Sequence, residues 1–92
     1  MQPNEIFVSS KKPAINYVLA VQTQVAQGQN PIFIRGRGNN INKAVDVALI
    51  ALREEFIKDF KIFNIKIGTD VFKLKDGKDR NVSTIEICLK KP

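Results

Sequence analysis

The stretch Pro31-Ile32-Phe33-Ile34-Arg35-Gly36-Arg37-Gly38-Asn39-Asn40-Ile41-Asn42-Lys43-Ala44-Val45 decides the fold, because the chain changes its period within it. Ile32-Phe33-Ile34 is β-branched and aromatic, as a strand requires, and Arg35-Gly36-Arg37-Gly38 carries it into a basic turn. Asn40 is suited to cap a helix. Beyond it Ile41, Ala44, Val45, Ala48, Leu49, Leu52 and Phe56 form one broad apolar stripe, and the spacing predicts a helix over 41–58.

The same strand-to-helix succession lies upstream. Ile6-Phe7-Val8 is a short apolar run closed by Ser9-Ser10-Lys11-Lys12. Pro13 suits the first helical position, where its fixed φ is helical and its missing N–H would have had no partner. Ala14, Ile15, Val18, Leu19, Val21, Val25 and Ala26 then recur at three- and four-residue steps, predicting a helix over 13–27 that stops at Gly28. Downstream the period falls to two. Phe63, Ile65, Ile67, Thr69 and Val71 alternate with Asn64, Lys66, Gly68 and Asp70, and Ser83, Ile85, Ile87 and Leu89 alternate with Val82, Thr84, Glu86 and Cys88. Asp76-Gly77 between them marks a turn, so the two strands read as a long hairpin with a projecting tip. The order is β-α-β-α-β-β. A crossover through the first helix makes strands one and two parallel, and the hairpin adds antiparallel neighbours. The expected fold is α+β, a two-layer α/β sandwich forming one domain over 1–92, with no internal repeat or linker.

Composition narrows the chemistry. Fifteen Lys and Arg stand against nine Asp and Glu, a net charge of +6, with no His and one Cys. That balance favours a polyanionic partner. Without His the chain lacks the commonest general acid, general base and metal ligand near neutral pH. Cys88 alone cannot complete a four-ligand zinc site or close an intramolecular disulfide. Glu54 and Glu55, adjacent on the expected helix, point about 100° apart and cannot converge on one substrate atom. They are expected to pair with Lys58 or Lys61. Cys88 has no His to activate it and is expected to be an inert thiol. No enzyme activity, cofactor or metal is therefore expected. Met1-Gln2-Pro3-Asn4-Glu5 lacks the pattern of a secretory leader, and no apolar run approaches the ~18 residues of a membrane span. The expectation is a cytoplasmic protein with no membrane partner.

The cations fall at three places. Lys11 and Lys12 precede the first helix, and Arg35 and Arg37 precede the second, with Asn39, Asn40 and Lys43 around its start. Cations at a helix N-terminus oppose its dipole by ~0.3–1 kcal/mol each, and no acidic residue stands in either first turn to offset them. A phosphate would resolve the conflict by meeting free N–H groups and a cation together. The alternative for Lys11 and Lys12 is a solvated loop pair. Arg35-Gly36-Arg37-Gly38 matches neither the P-loop nor the dinucleotide-binding fingerprint. It remains either a turn presenting two guanidiniums to phosphate or one whose glycines only permit positive φ. The third place is the hairpin, with Lys73, Lys75, Lys78 and Arg80 against Asp76 and Asp79. It is either a basic arm for a minor groove or a solvated loop.

Four motifs in order resemble the Alba family of archaeal chromatin proteins: Ser10-Lys11-Lys12-Pro13-Ala14-Ile15-Asn16-Tyr17-Val18-Leu19-Ala20-Val21, Ile41-Asn42-Lys43-Ala44-Val45-Asp46-Val47-Ala48, Ile65-Lys66-Ile67-Gly68-Thr69 and Asn81-Val82-Ser83-Thr84-Ile85-Glu86-Ile87. The resemblance implies a homodimer with the fold of the C-terminal domain of bacterial translation initiation factor three. It implies sequence-nonspecific binding of double-stranded DNA, and of RNA, by the lysine pair and two hairpin arms, with a place on the chromosome and a part in its architecture and condensation. An RNA chaperone or a subunit of an RNA-processing particle is the alternative. It further implies acetylation at Lys11, reversed by a Sir2-type deacetylase, and a dimer–dimer contact through Phe56 when dimers stack on DNA. Two departures stand out. Asn39 replaces the second arginine of an Arg-Gly-Arg common in the family. Lys78-Asp79, with Arg80 displaced, stands where two adjacent arginines are common in the hairpin. Each lost cation removes about 0.9 from the salt slope, so weaker DNA compaction than that of a more basic relative is expected. The aromatic signature of the RRM, which would point to stacking of single strands, is absent.

Overall fold

The computed structural model describes residues 4–92; Met1-Gln2-Pro3, part of the stretch read as lacking a secretory leader, lies outside them. In chain order the elements are β1 (Glu5–Phe7), α1 (Ala14–Ala26), β2 (Ile32–Arg37), α2 (Ile41–Leu52), β3 (Lys61–Lys73) and β4 (Asp79–Lys90), the order expected. The four strands make one sheet in the order β1-β2-β4-β3. β1 runs parallel to β2, and β4 pairs antiparallel with both β2 and β3.

Strand alternation sets which face the helices cover. Ile6, Ile32, Ile34, Ile87 and Leu89 point to α1 and α2 and are buried with Val18 and Val21 of α1 and Ala44, Val47, Ala48 and Ala51 of α2. Fully burying one such aliphatic side chain is worth about 1.5–3 kcal/mol. No polar or charged side chain is buried among the described residues. Gly36 lies where β2 passes beneath the start of α2. A Cβ there would stand 2.7 Å from the Asn40 carbonyl oxygen and 2.9 Å from the Ala44 Cβ, so only glycine lets the helix sit this close.

Three local expectations are corrected. The second helix ends at Leu52, not at 58. Its buried stripe of Ala44, Val47, Ala48 and Ala51 would continue onto Glu54 and Glu55, which cannot enter the core unpaired. Glu54 is instead extended, and a 3-10 turn at Glu55–Ile57 delivers Ile57 to the core. Asn40 occupies the cap position of α2, but its side chain makes no capping bond. It belongs to a 3-10 turn, Gly38–Asn40, and its φ of −97° and ψ of 2° are not the extended values capping requires. The alternation of β3 breaks at a bulge between Ile62 and Asn64, which takes Phe63 out of phase with Ile65 and sets its ring 4.6 Å from Lys90 Nζ.

The hairpin is longer than its alternation suggested. β2 supports β4 only from Leu89 to Thr84, so beyond that point β3 and β4 continue as a free two-stranded ribbon. Leu74 and Lys78 close its tip, with the Gly77 N–H donating to the Leu74 carbonyl and Gly77 at φ 85°. The chain thus reverses over Lys75 and Asp76 and closes on a glycine in the left-handed region, a common form of short hairpin closure. The ribbon gives the molecule its long axis, 49 Å against 25 and 21 Å.

Candidate nucleic-acid interface

Strand register brings the sequence-distant cations to one end of the molecule. β1 and β2 run parallel and finish together at Phe7 and Arg37, and the opposite partner of Arg37 is Thr84, where the free ribbon begins. The Lys11-Lys12 loop, the turn containing Asn39 and Asn40, Lys43 on the first turn of α2, and the arm bearing Lys73, Lys75, Lys78 and Arg80 therefore share that end.

The loop that carries the lysine pair is held from two sides. The Ser9 backbone N–H donates to Tyr17 Oη at 3.2 Å, the Ser9 hydroxyl lies 2.9 Å from it, and Tyr17 Oη reaches the Ser9 carbonyl at 3.3 Å. The Ser9 hydroxyl, above all, holds the pKa of the Tyr17 phenol below its ordinary value. Burial opposes this, while the Ser9 backbone, Lys43 and Lys12 assist it. From the other side Lys43 Nζ donates to the Ser9 carbonyl at 3.1 Å and the Lys12 carbonyl at 2.9 Å. Lys11 and Lys12 themselves are exposed. They precede an α1 terminus with no side-chain cap and no acid in its first turn, so the conflict read from the sequence is present there.

Arg35 and Arg37 are placed differently. They were expected to crowd the start of the second helix. Because Ile32, Ile34 and Gly36 face the helices, both arginines must face the opposite, uncovered side of the sheet. Arg35 there meets Glu5 Oε1 at 3.0 Å and Glu86 Oε2 at 2.9 Å, and it lies beside the rings of Phe7 and Phe33, each 5.9 Å away. Arg37 is 3.7 Å from Asp70 Oδ2 and 5.2 Å from the Phe72 ring. Lys11, Lys12, Lys73, Lys75, Lys78 and Arg80, by contrast, make no ion pair within 4 Å among the described residues.

Sequence reasoning missed Tyr17, Glu5, Glu86 and Asp70. Glu86 could have been found only by knowing that β4, not β3, lies beside β2. Phe56 is half-buried in the turn after α2, a helix of about 18 Å away from Lys43 and so at the end remote from the arm. Glu55 pairs with Lys58 at 3.3 Å, as one of the two expected partners. Cys88 is buried, and that burial, with Glu86 nearby, pushes its thiol up. Among the described residues no helix is long and apolar enough to cross a membrane, and no three His, Cys, Asp or Glu side chains gather as metal ligands do.

Comparison with known proteins agrees with this architecture. A family model described as Alba matches residues 4–69. A protein of Thermoplasma acidophilum named DNA/RNA-binding protein Alba is 50% identical over 88 residues, 96% of each chain. One of the same name from Methanocella arvoryzae is 43% identical over 91 residues, covering 99% of this chain and 93% of that one. Among solved structures, Alba from Thermoplasma volcanium superposes with a TM-score of 0.84 at 49% identity, covering 96% of this chain and all of that one. An Alba protein of Trypanosoma brucei shares the fold at a TM-score of 0.77 and 19% identity, covering 99% of this chain and 71% of that one. The match over residues 4–69, the near full-length relatives and the shared fold place the chain in the Alba family.

Proposed function

We propose that this protein binds double-stranded nucleic acid, DNA and RNA alike, through the phosphate backbone and without reading sequence. One observation carries the reading: six cations without an ion pair among the described residues, Lys11, Lys12, Lys73, Lys75, Lys78 and Arg80, lie with an uncapped, acid-free helix start and a projecting arm at one end of the molecule. The names of its relatives, DNA/RNA-binding proteins, support it. Lys11 and Lys12 supply the body contact. Lys73, Lys75, Lys78 and Arg80 line an arm shaped for a minor groove.

The functional unit is a homodimer. β3 presents Ile65 and Ile67 to the helix side of the sheet, but the helices pack on β2 and β4 and do not reach them. Ile65 is 52% exposed, Ile67 83% and Leu49 of α2 49%. A second copy covering this apolar surface would double the cations presented to one duplex. Within this reading Lys11 is the acetylation site, since losing its charge weakens phosphate contact, and a Sir2-type deacetylase restores it. Phe56, remote from the arm, is the contact between neighbouring dimers. The chromosome is the site of action, and chromosome organisation the role.

The test is a salt titration of binding to random duplex DNA and to duplex RNA. Affinity should fall steeply with salt. Lys11→Ala with Lys12→Ala should lower the slope of log K on log salt by about 1.8 per protomer, equally for all sequences. A flat salt response, or an unchanged slope in the variant, would refute it.

A further inference from the structure

The uncovered face of the sheet has a composition that duplex binding at the arm end does not use. Neither helix lies over it, and a cavity of about 610 Å³ opens at its arm-ward part, lined on this face by Phe7, Arg35, Lys66, Gly68 and Glu86 and reaching round to Asn40 and Ile67 on the helix side. Strand register places four side chains in one row across its middle: Phe7 on β1 opposite Arg35 on β2, Arg35 opposite Glu86 on β4, and Glu86 opposite Lys66 on β3. At the usual strand spacing the row is about 14 Å long. An aromatic ring, 50% exposed, stands at one end. A guanidinium and a carboxylate lie in the middle, and at the other end is an ammonium with no ion pair among the described residues. In the next row toward the arm the floor is open, because Gly68 opposite Thr84 carries no side chain.

We propose that this face is a second nucleic-acid surface that takes unpaired nucleotides, with a base stacked on Phe7 and a phosphate held by Lys66. A four-stranded sheet whose exposed aromatics stack splayed bases is a general solution to single-strand recognition, and here the aromatics come in an arrangement with no RRM signature in the sequence. Arg35 adds a second planar surface beside Phe7, fixed by Glu5 and Glu86, and its Nε is buried without a partner among the described residues, so the cluster is not closed on itself. Glu86 offers an acceptor to an exocyclic amine, whereas a duplex buries its bases and could present only phosphate. A second protein copy is the poorer occupant. The helix side of β3 is contiguous isoleucine, while this side sets each ring against a cation and ends on an ammonium, which complements an anionic aromatic polymer.

The chain has no tryptophan, so Phe7→Trp gives a sole tryptophan reporter. Homothymidine and homouridine oligonucleotides should each quench its emission, and random duplex should not; the relative quenching separates DNA from RNA as the preferred strand. Phe7→Ala should weaken single-strand binding about 5- to 100-fold, the loss expected for one stacked base, and leave duplex affinity unchanged. Gly68→Val, which fills the floor at an exposed strand position, should give the same selective loss without touching Phe7. Equal losses for single strand and duplex, or no loss of single-strand binding in either variant, would overturn the proposal. So would a shift of tryptophan emission with protein concentration in the absence of nucleic acid, since a second copy would then cover the face. The duplex reading stands or falls separately on Lys11 and Lys12.

Discussion

Replacing Lys43 by methionine keeps the apolar stem and removes the ammonium, and its consequences follow from two distances. Nζ donates to the Ser9 carbonyl at 3.1 Å and to the Lys12 carbonyl at 2.9 Å, so one side chain of α2 ties both ends of the Lys11-Lys12 loop to the body. Hydrogen bonds to a charged group are worth about 1.5–3 kcal/mol each, but these carbonyls lie near solvent and water can replace the donor, so a total loss of about 1–3 kcal/mol is expected. In a domain of this size that is a fall in Tm of roughly 4–24 °C, read by circular dichroism. Binding discriminates further. A surface cation touching one phosphate contributes about 0.9 to the salt slope per protomer. A cation that also positions Lys11 and Lys12 should take their contribution with it, a fall approaching 2.7 per protomer. Lys43→Met with an unchanged Tm and a slope reduced by no more than 0.9 would show that the ammonium is merely one more surface charge, and the stapling argument would fail.

Three further outcomes are expected. Gly36→Ala should destabilise the fold by about 1–3 kcal/mol in chemical unfolding, since the new Cβ would overlap the Asn40 carbonyl and the Ala44 Cβ. Adding Ala44→Gly should not restore stability, because the backbone contact remains. Ile67→Lys puts a charge on the uncovered isoleucine strand and should shift sedimentation from dimer to monomer without lowering Tm of the monomer; a dimer that persists would refute the interface. Cys88, its thiol raised by burial, should resist alkylation at neutral pH far longer in the folded than in the urea-unfolded protein. Because the folded value lies above the ordinary 9.0, the proton on Cys88 contributes stability that is complete below that pH and lost as pH rises through the raised value. Cys88→Ser should abolish that part of the alkaline decline.

The legible part of the fold is the part governed by local periodicity. Ile32-Phe33-Ile34, the α1 stripe, the Asp76-Gly77 turn and the two alternating strands each specify their element from within ten residues or so, and the family motifs agreed with them. What escaped depends on neighbours. The end of α2 is set by where Ile57 can reach the core, which the apolar stripe through Phe56 conceals. The bulge at Phe63 interrupts an alternation that otherwise reads perfectly. At the site the position of every cation in the chain was available, but its direction was not. Arg35 and Lys11 look alike as basic residues ahead of a helix, yet one is clamped by Glu5 and Glu86 and the other is free, because only strand order brings Glu86 beside Arg35.

That difference changes the accounting of affinity more than the departures visible in the sequence do. Asn39 and the Lys78-Asp79 pair, read from the sequence as departures from a more basic pattern, would each change a single contact in the proposed interface. In the proposed duplex contact, the clamping of Arg35 by Glu5 and Glu86 leaves out a guanidinium that a count of charge would include, and Arg37, 3.7 Å from Asp70, is partly left out as well. On the proposed reading, body contact rests on Lys11, Lys12 and the third donor of Lys43, all on one loop and one helical turn, and arm contact on Lys73, Lys75, Lys78 and Arg80 of the ribbon. Such a division makes the body a short, rigid phosphate grip and the arm its reach. On that reading, acetylation of Lys11, were it to occur as proposed, would be costly in proportion, silencing one of three body cations rather than one of five. The clamped arginines are left to the other face of the sheet, where their planes and their aromatic neighbours are suited to bases instead of phosphates.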